Sequence, residues 1–470
     1  MIRDYVFHES TVSLCPTCVR TVQAKVIIRD DRVYLVKYCP DHGQQVELLE
    51  EDAEYHLAKR QYDKPGNVTR SYTGVVKGCP FDCGTCPQHD QHACIGLIEV
   101  TNRCNLRCPL CYAGSSKGDF LPIDRIGQMM DFFQESEGNE AEVLQISGGE
   151  PTLHPQILDI LRAAKAKGIK YVMLNTNGLR IAEDAAFTKS LQEFADRGGF
   201  EVYLQFDGFK ESTSETLRGR RGLLEVKERA IANLTKFRIP VTLVMTVLDG
   251  VNDDEVGEVF VYALNQPCIR GINYQPAAFF GRVEVEPDQT VRELPSRVTL
   301  SGVLHRLQQQ TSGMLKVSDF VPLPCNVERV ALTYLYRSSR GEFVPITRDV
   351  NFKKHLNLVN NTFVFTVEDA LKNAGRSIDS VATTCACFDF LKDFRHMVPA
   401  NFFFRSKERK KEYIDDNTFR ISVSSFVDAY NFDLKSMQKE CVHVITPDLR
   451  KIPFSAYNMI HRDAHDELLV

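Results

Sequence analysis

The stretch Glu99-Val100-Thr101-Asn102-Arg103-Cys104-Asn105-Leu106-Arg107-Cys108-Pro109-Leu110-Cys111-Tyr112 carries three cysteines spaced C-x3-C-x2-C. Three thiolates at that spacing can wrap three corners of a cubic [4Fe–4S] cluster, which prefers sulfur ligands. The next cysteine downstream is Cys268, so no local residue is placed to ligate the fourth iron. An open iron is where a small chelating cosubstrate can bind. A ferredoxin-like electron carrier or a structural cluster is the plainer alternative for such a triad taken alone.

The remaining cysteines are unevenly spread. Of fifteen in the chain, ten fall within the first 111 residues, in short-spaced groups. Disulfides are disfavoured in a reducing compartment, so metal ligation explains the grouping better. Cys15-Pro16-Thr17-Cys18 and Cys39-Pro40-Asp41-His42-Gly43 form two knuckles joined by an alternating run, Ala24 to Val36, that reads as a hairpin. Cys15, Cys18, Cys39 and His42 would close a tetrahedral site for zinc or a rubredoxin-like iron. Cys79, Cys83 and Cys86 repeat the C-x3-C-x2-C spacing, but no strand precedes them and Cys94 follows closely. This group is expected to close an auxiliary [4Fe–4S] cluster with Cys94 at the fourth corner. A zinc site, or His89 or His92 in place of one thiolate, is the alternative.

These ligands need a scaffold. From Ile95 the chain alternates β-rich runs with amphipathic stretches, the signature of βα units and a parallel sheet. The predicted strands are Leu97–Thr101, Val143–Ser147, Tyr171–Asn175, Glu201–Phe206, Pro240–Thr246 and Gly271–Tyr274, with helices such as Ile123–Phe133, Gln156–Lys167 and Leu224–Phe237 between them. Six units fit an α/β fold with an open, partial (β/α)6 barrel. In parallel barrels chemistry gathers at the carboxyl ends of strands. The polar motifs fall there: the cysteine triad, Ser147-Gly148-Gly149-Glu150-Pro151, Asn175-Thr176-Asn177-Gly178, Gln205-Phe206-Asp207-Gly208 and Asp249 to Glu255. The division expected is a metal ribbon over 1–60, a cluster segment over 61–94, the barrel over 95–283 and a C-terminal α+β region over 284–470.

In that last region Cys325, Cys385, Cys387 and Cys441 number enough to close a second auxiliary cluster, with Cys268 as a substitute or with all of them as buried structural cysteines. Asn401 to Lys411 sets Phe402, Phe403 and Phe404 beside basic residues. It reads as a peripheral membrane contact or, alternatively, as a buried strand followed by a solvated turn. A net charge of -5 argues against a nucleic-acid partner. The absence of a run of about 18 apolar residues and of an apolar N-terminal h-region leads to the expectation of a cytoplasmic protein.

Together the triad and the Gly-Gly-Glu motif resemble the radical S-adenosylmethionine (SAM) superfamily. The knuckles, Gln-Phe-Asp-Gly, Gly-Val-Asn-Asp-Asp-Glu and the tail from Asn431-Phe432-Asp433 to Ile452-Pro453-Phe454-Ser455-Ala456-Tyr457-Asn458 resemble its tetraether lipid synthase branch. The resemblance implies that Cys104, Cys108 and Cys111 hold the SAM-binding [4Fe–4S] cluster. It also implies that Ser147, Gly148, Gly149 and Glu150 meet the methionine amino group, and that Tyr112 packs on adenine. Asn177 and Asp207 suit the ribose hydroxyls and methionine carboxylate, or else cap the following helices. The segment Gly250 to Glu255 lines the adenine side or caps a helix.

Further implications are auxiliary [4Fe–4S] clusters, a mononuclear iron, and a flavodoxin- or ferredoxin-type electron donor. The activity implied is cleavage of SAM to a 5′-deoxyadenosyl radical, followed by hydrogen abstraction from an unactivated carbon. Coupling of lipid chains is the leading expectation. Radical methylation of a pterin-like small molecule is the rival enzyme reading, and an electron carrier without chemistry of its own the rival from another class.

Overall fold

The computed structural model describes residues 3–68, 70–114, 118–283, 297–338, 340–356, 401 and 404–462. Four antiparallel strands come first: β1 (Val6–Leu14), β2 (Thr21–Arg29), β3 (Arg32–Cys39) and β4 (Gly43–Glu50), hydrogen-bonded in that order. Their alternation buries Val26, Val33 and Leu35 on one face. The ribbon is fastened to the far end of the chain. The buried Lys37 Nζ donates to the carbonyls of Leu14 and Tyr430, each at 2.7 Å, and of Ala429 at 2.9 Å, while Ser13 Oγ donates to Phe432 O at 2.7 Å.

The body is one large sheet. Its central strands are β5 (Ile95–Glu99), β7 (Val143–Ser147), β8 (Tyr171–Thr176), β9 (Phe200–Gln205), β10 (Val241–Val247) and β11 (Ile269–Pro276). All five pairings are parallel and in chain order. A short ladder of β6 (Leu110–Cys111) with β12 (Arg282–Val283) stands apart. Helices Ile123–Ser136, Ile157–Ala166, Ala185–Arg197, Leu223–Lys236 and Val256–Leu264 cover the outer face. Their apolar stripes pack on the strands in one core that includes Phe133, Leu144, Ile160, Leu174, Val202, Leu243 and Phe260. Close packing dictates one residue outright. A Cβ on Gly96 would stand 2.7 Å from the Phe133 ring.

The sheet does not close on itself, as expected of a partial barrel, and strands of the C-terminal third lengthen it at both edges. Strand β13 (Val321–Pro322), β14 (Val330–Arg337), β15 (Phe343–Pro345) and β16 (Thr418–Ser424) extend one edge, with β16 parallel to β11. Strands β17 (Val442–Ile445) and β18 (Lys451–Pro453) extend the other, with β17 parallel to β5. Residues 425–441 therefore link the two edges of the open barrel. The tail is clamped by a buried bidentate pair, Arg462 to Glu99 at 2.9 and 2.8 Å. Among the described residues no helix is long and apolar enough to cross a membrane. Phe404 is exposed and Lys407–Asn417 is a helix capped by Ser406 where a solvated turn was the expectation; Phe402 and Phe403, on which the buried strand or the membrane contact was placed, lie outside the described residues.

Candidate active site

Six strand ends converge on a cavity of about 220 Å³. Cys104, Cys108, Cys111, Tyr112, Ser147, Gly148, Gly149, Glu150 and Asn177 all line it. The two glycines have a role the sequence did not reveal. They let the end of β7 dock against the cysteine loop, with Gly149 N donating to Thr101 O and Glu150 N to Arg103 O, each at 2.8 Å. A Cβ on Gly148 would lie 2.3 Å from Thr101 O, and one on Gly149 2.3 Å from Arg103 O. Gly148 also has a φ of +132°, which disfavours any other residue.

Glu150 is buried and fully engaged. One oxygen accepts from Thr152 N at 3.1 Å, Thr152 Oγ1 at 2.5 Å and Thr176 Oγ1 at 2.8 Å; the other accepts from Asn177 N at 2.7 Å. Burial pushes its carboxyl above the usual range, and those hydrogen bonds pull the other way. It thus locks β8 to β7 and leaves its charge facing the cavity. Asn177 both caps the next helix, accepting from Leu179 N at 3.0 Å, and ties to Asn105 at 2.7 Å. Tyr112 packs edge-on against Phe454 with its hydroxyl 3.2 Å from Ser147 Oγ.

Asp207 departs from expectation. Its oxygens accept from Arg218 Nε at 2.6 Å and Nη2 at 2.7 Å, from Gln205 at 2.7 Å and from Thr246 N at 3.1 Å. The carboxylate is consumed in aiming Arg218, and Arg218, not Asp207, lines the cavity. Burial opposes the Arg218 charge, yet Asp207 beside it holds the guanidinium above its ordinary value. A second cation, Lys227, donates to Asn177 O at 2.5 Å, and burial lowers it to about 8. Both cations suit a carboxylate, and the available signal is an Arg eleven residues past a strand-end Asp, at the end of the helix that follows it. The segment after β10 does not reach the cavity either. Asn252 donates to Asp207 O at 2.8 Å, and Glu255 accepts from Phe209 N at 2.6 Å and Thr213 Oγ1 at 2.8 Å, so these residues staple loops.

The other cysteines regroup. Cys15, Cys18, Cys39 and His42 converge with all donor atoms within 4.8 Å of one another. Cys79, Cys83 and Cys86 line a small cavity with His89, but Cys94 is not with them. Cys94 Sγ is 3.8 Å from Cys325 Sγ, which is 3.8 Å from Cys441 Sγ. The reason is the start of β5 at Ile95, whose extended backbone carries Cys94 to the foot of the barrel beside β17. Cys268 sits in the main apolar core, accepting from Thr235 Oγ1 at 3.1 Å. Cys385 and Cys387 lie outside the described residues.

Beneath the cysteine cavity a second one of about 60 Å³ continues into the barrel, sharing Gln145, Tyr203, Gln275, Phe426 and Val442 as walls. Its walls combine apolar Ile95, Met173, Val330 and Val427 with polar Asn273, Asn326, Arg329, Ser422, Ser424 and Glu440. Ser455 donates to one Glu440 oxygen from both N at 3.0 Å and Oγ at 3.1 Å. Burial pushes this carboxyl up to about 8.

Comparison with known proteins agrees with this geometry. Residues 98–263 match the family described as "Radical SAM superfamily", and residues 7–51 match "HMPTM N-terminal zinc ribbon domain". The chain is 31% identical to the 7,8-dihydro-6-hydroxymethylpterin dimethyltransferase of Methanocaldococcus jannaschii, over 98% of this chain and 95% of that one. It is 30% identical to the GTP 3′,8-cyclase of Geobacter sulfurreducens over 38% of this chain and 55% of that protein. Among solved structures, Streptococcus suis SuiB bound to precursor peptide SuiA aligns with a TM-score of 0.37 at 16% identity, covering 48% of this chain and 46% of that one. The chain belongs to the radical SAM superfamily, in the family that holds the M. jannaschii dimethyltransferase. It is a radical SAM enzyme whose cofactors are SAM, [4Fe–4S] clusters and a mononuclear metal in the ribbon. The donor set fits them: three thiols face the cavity beside the Gly-Gly-Glu turn, and four ligands converge in the ribbon.

Proposed function

We propose that this enzyme is a methyltransferase of pterin-like small molecules, with Cys104, Cys108 and Cys111 holding the SAM-binding cluster. Bound there, the cluster and SAM supply a carbon-centred radical. The chain's own residues orient SAM through Arg218, Lys227 and the Gly148–Glu150 turn, and hold the acceptor in the chamber below. A flavodoxin- or ferredoxin-type protein would deliver the electron.

One observation carries the substrate class. Two buried amide oxygens in the adjoining cavities, Asn175 Oδ1 and Asn326 Oδ1, have no hydrogen-bond partner, and neither has Glu440 Oε2, the oxygen left to carry the proton of a carboxyl raised to about 8. An orphaned buried polar group costs about 1–3 kcal/mol, so the cavities ask for a ligand with N–H donors and at least one acceptor. The aminopyrimidinone edge of a dihydropterin offers them, and the name of the M. jannaschii relative points the same way. An acyl chain offers none. Each buried methylene gains roughly 0.8 kcal/mol, but cavities of about 220 and 60 Å³ are short for a chain of many methylenes. On cavity length the lipid-coupling expectation is the weaker reading.

The holoprotein should bind 6-hydroxymethyl-7,8-dihydropterin in calorimetry. Glu440→Ala, which removes the unpartnered carboxyl oxygen, should weaken binding about tenfold, worth about 1.4 kcal/mol. Equal affinity in wild type and variant, or binding of a long-chain ether lipid in place of the pterin, would count against this reading.

A further inference from the structure

Alternate residues of β9 point into the barrel, and they mark its depth. Gln205 lines the cysteine cavity alone, Tyr203 lines both that cavity and the chamber beneath it, and Glu201 lower down pairs with Arg420 at 2.9 Å. Tyr203 thus stands at the step between the SAM site and the acceptor chamber. Resting on the methyltransferase reading above, we propose that Tyr203 holds the acceptor at this step, donating its phenol hydrogen to a carbonyl oxygen or ring nitrogen of the heterocycle.

The phenol is set up as a donor. Its oxygen accepts from Asn273 Nδ2, and the Gln275 amide, from the same strand as Asn273, faces it as well. Asn273 is fixed in turn from the edge strand β16, where Ser422 Oγ and Ser424 Oγ donate to its Oδ1 at 2.8 and 3.1 Å. With the phenol oxygen turned to these amides, no acceptor among the described residues meets its hydrogen. Other tyrosines of the barrel strands do have one. Tyr171 donates to Glu201 Oε2 at 3.1 Å, and Tyr274 to Val256 O at 2.8 Å.

Burial pushes the Tyr203 phenol above its ordinary range, against the pull of the Arg420 charge and of both amides. The group therefore keeps its proton at neutral pH and acts as a donor, not as a base. A donor held by a second layer of hydrogen bonds is aimed before the ligand arrives, which is the condition for fixing one atom of a substrate. The unpartnered oxygens of Asn175 and Asn326 ask the ligand for donors. Tyr203 asks it for an acceptor, and a heterocycle offers both where a saturated carbon chain offers neither.

The test compares the reduced holoprotein with its Tyr203→Phe variant, using SAM and 6-hydroxymethyl-7,8-dihydropterin and normalising rates to bound iron. The variant should raise KM for the pterin about tenfold. It should also form at least three times as much 5′-deoxyadenosine per methylated pterin, because a loosely held acceptor lets SAM cleavage run without transfer. Tyr262→Phe, which removes a phenol on the outer helix Val256–Leu264, should change neither quantity. A fall in kcat with KM and the product ratio unaltered, the mark of a merely structural role, would overturn the proposal, as would equal effects from Tyr262→Phe. Should Tyr203→Phe fail to fold, Asn273→Ala carries the test: it releases the phenol and should raise KM in the same direction, and an unchanged KM would refute the assignment. A wild-type protein that neither binds nor methylates the pterin would instead sink the methyltransferase reading itself.

Discussion

Simultaneous replacement of Cys104, Cys108 and Cys111 by alanine is expected to reduce 5′-deoxyadenosine formation from SAM to background, while iron remains bound elsewhere in the chain. All three thiols face the same cavity as the Gly148–Glu150 turn, and no other cysteine among the described residues does. The loss should be complete, because an open iron needs three protein ligands to leave one corner free. Iron analysis before and after substitution separates loss of this cluster from collapse of the fold. If the triple variant still cleaved SAM, the open iron would have to belong to the Cys79, Cys83 and Cys86 group.

The second large effect is expected at Asp207, although it does not face the cavity. Asp207 and Arg218 form a buried bidentate pair, and removing one partner of such a pair costs about 3–5 kcal/mol because the other charge is left without compensation. Asp207→Ala should therefore lower unfolding stability by that order and weaken SAM binding at least tenfold, since Arg218 would no longer be held toward the cavity. Glu215→Ala, which breaks the exposed Arg221–Glu215 pair, should change stability by under about 1 kcal/mol. Denaturant unfolding and calorimetric SAM titration of both variants make the comparison. Asp207→Ala with unaltered SAM affinity would remove Arg218 from the cofactor site.

Much of the barrel is legible in the sequence because βα units announce themselves locally. Val143–Ser147 is placed to the residue, and the other five central strands fall within two residues of their observed limits. The first is displaced because Val100 and Thr101 continue the β-rich pattern beyond Glu99, where the chain already turns into the cysteine loop. What periodicity cannot carry is partnership. Nothing local in Thr418–Ser424 or Val442–Ile445 says that each adds a parallel strand to an opposite edge of the sheet.

The same limit governs the ligands. Cys94 lies eight positions after Cys86 in sequence, and proximity along the chain suggests a shared cluster. Its true neighbours, Cys325 and Cys441, are 231 and more residues away. Asp207 was recognisable as a strand-end carboxylate, but its pairing with Arg218 depends on how the helix Glu211–Arg218 folds back over the strand end. The glycines of the Gly-Gly-Glu turn were read for their approach to a ligand. Their nearest neighbours are backbone carbonyls of the cysteine loop, a contact that only the assembled strands create.

On the proposed function, a hydrogen-bonding heterocycle, not a lipid chain, is the acceptor of the radical chemistry. Anaerobic incubation of the reduced holoprotein with SAM and 6-hydroxymethyl-7,8-dihydropterin, read by mass spectrometry, tests it most directly. The pterin is expected to stimulate 5′-deoxyadenosine formation and to gain about 14 mass units per methyl group transferred. A pterin returned unchanged, with 5′-deoxyadenosine formation stimulated by a long-chain lipid and lipid products coupled through their chains, would contradict it.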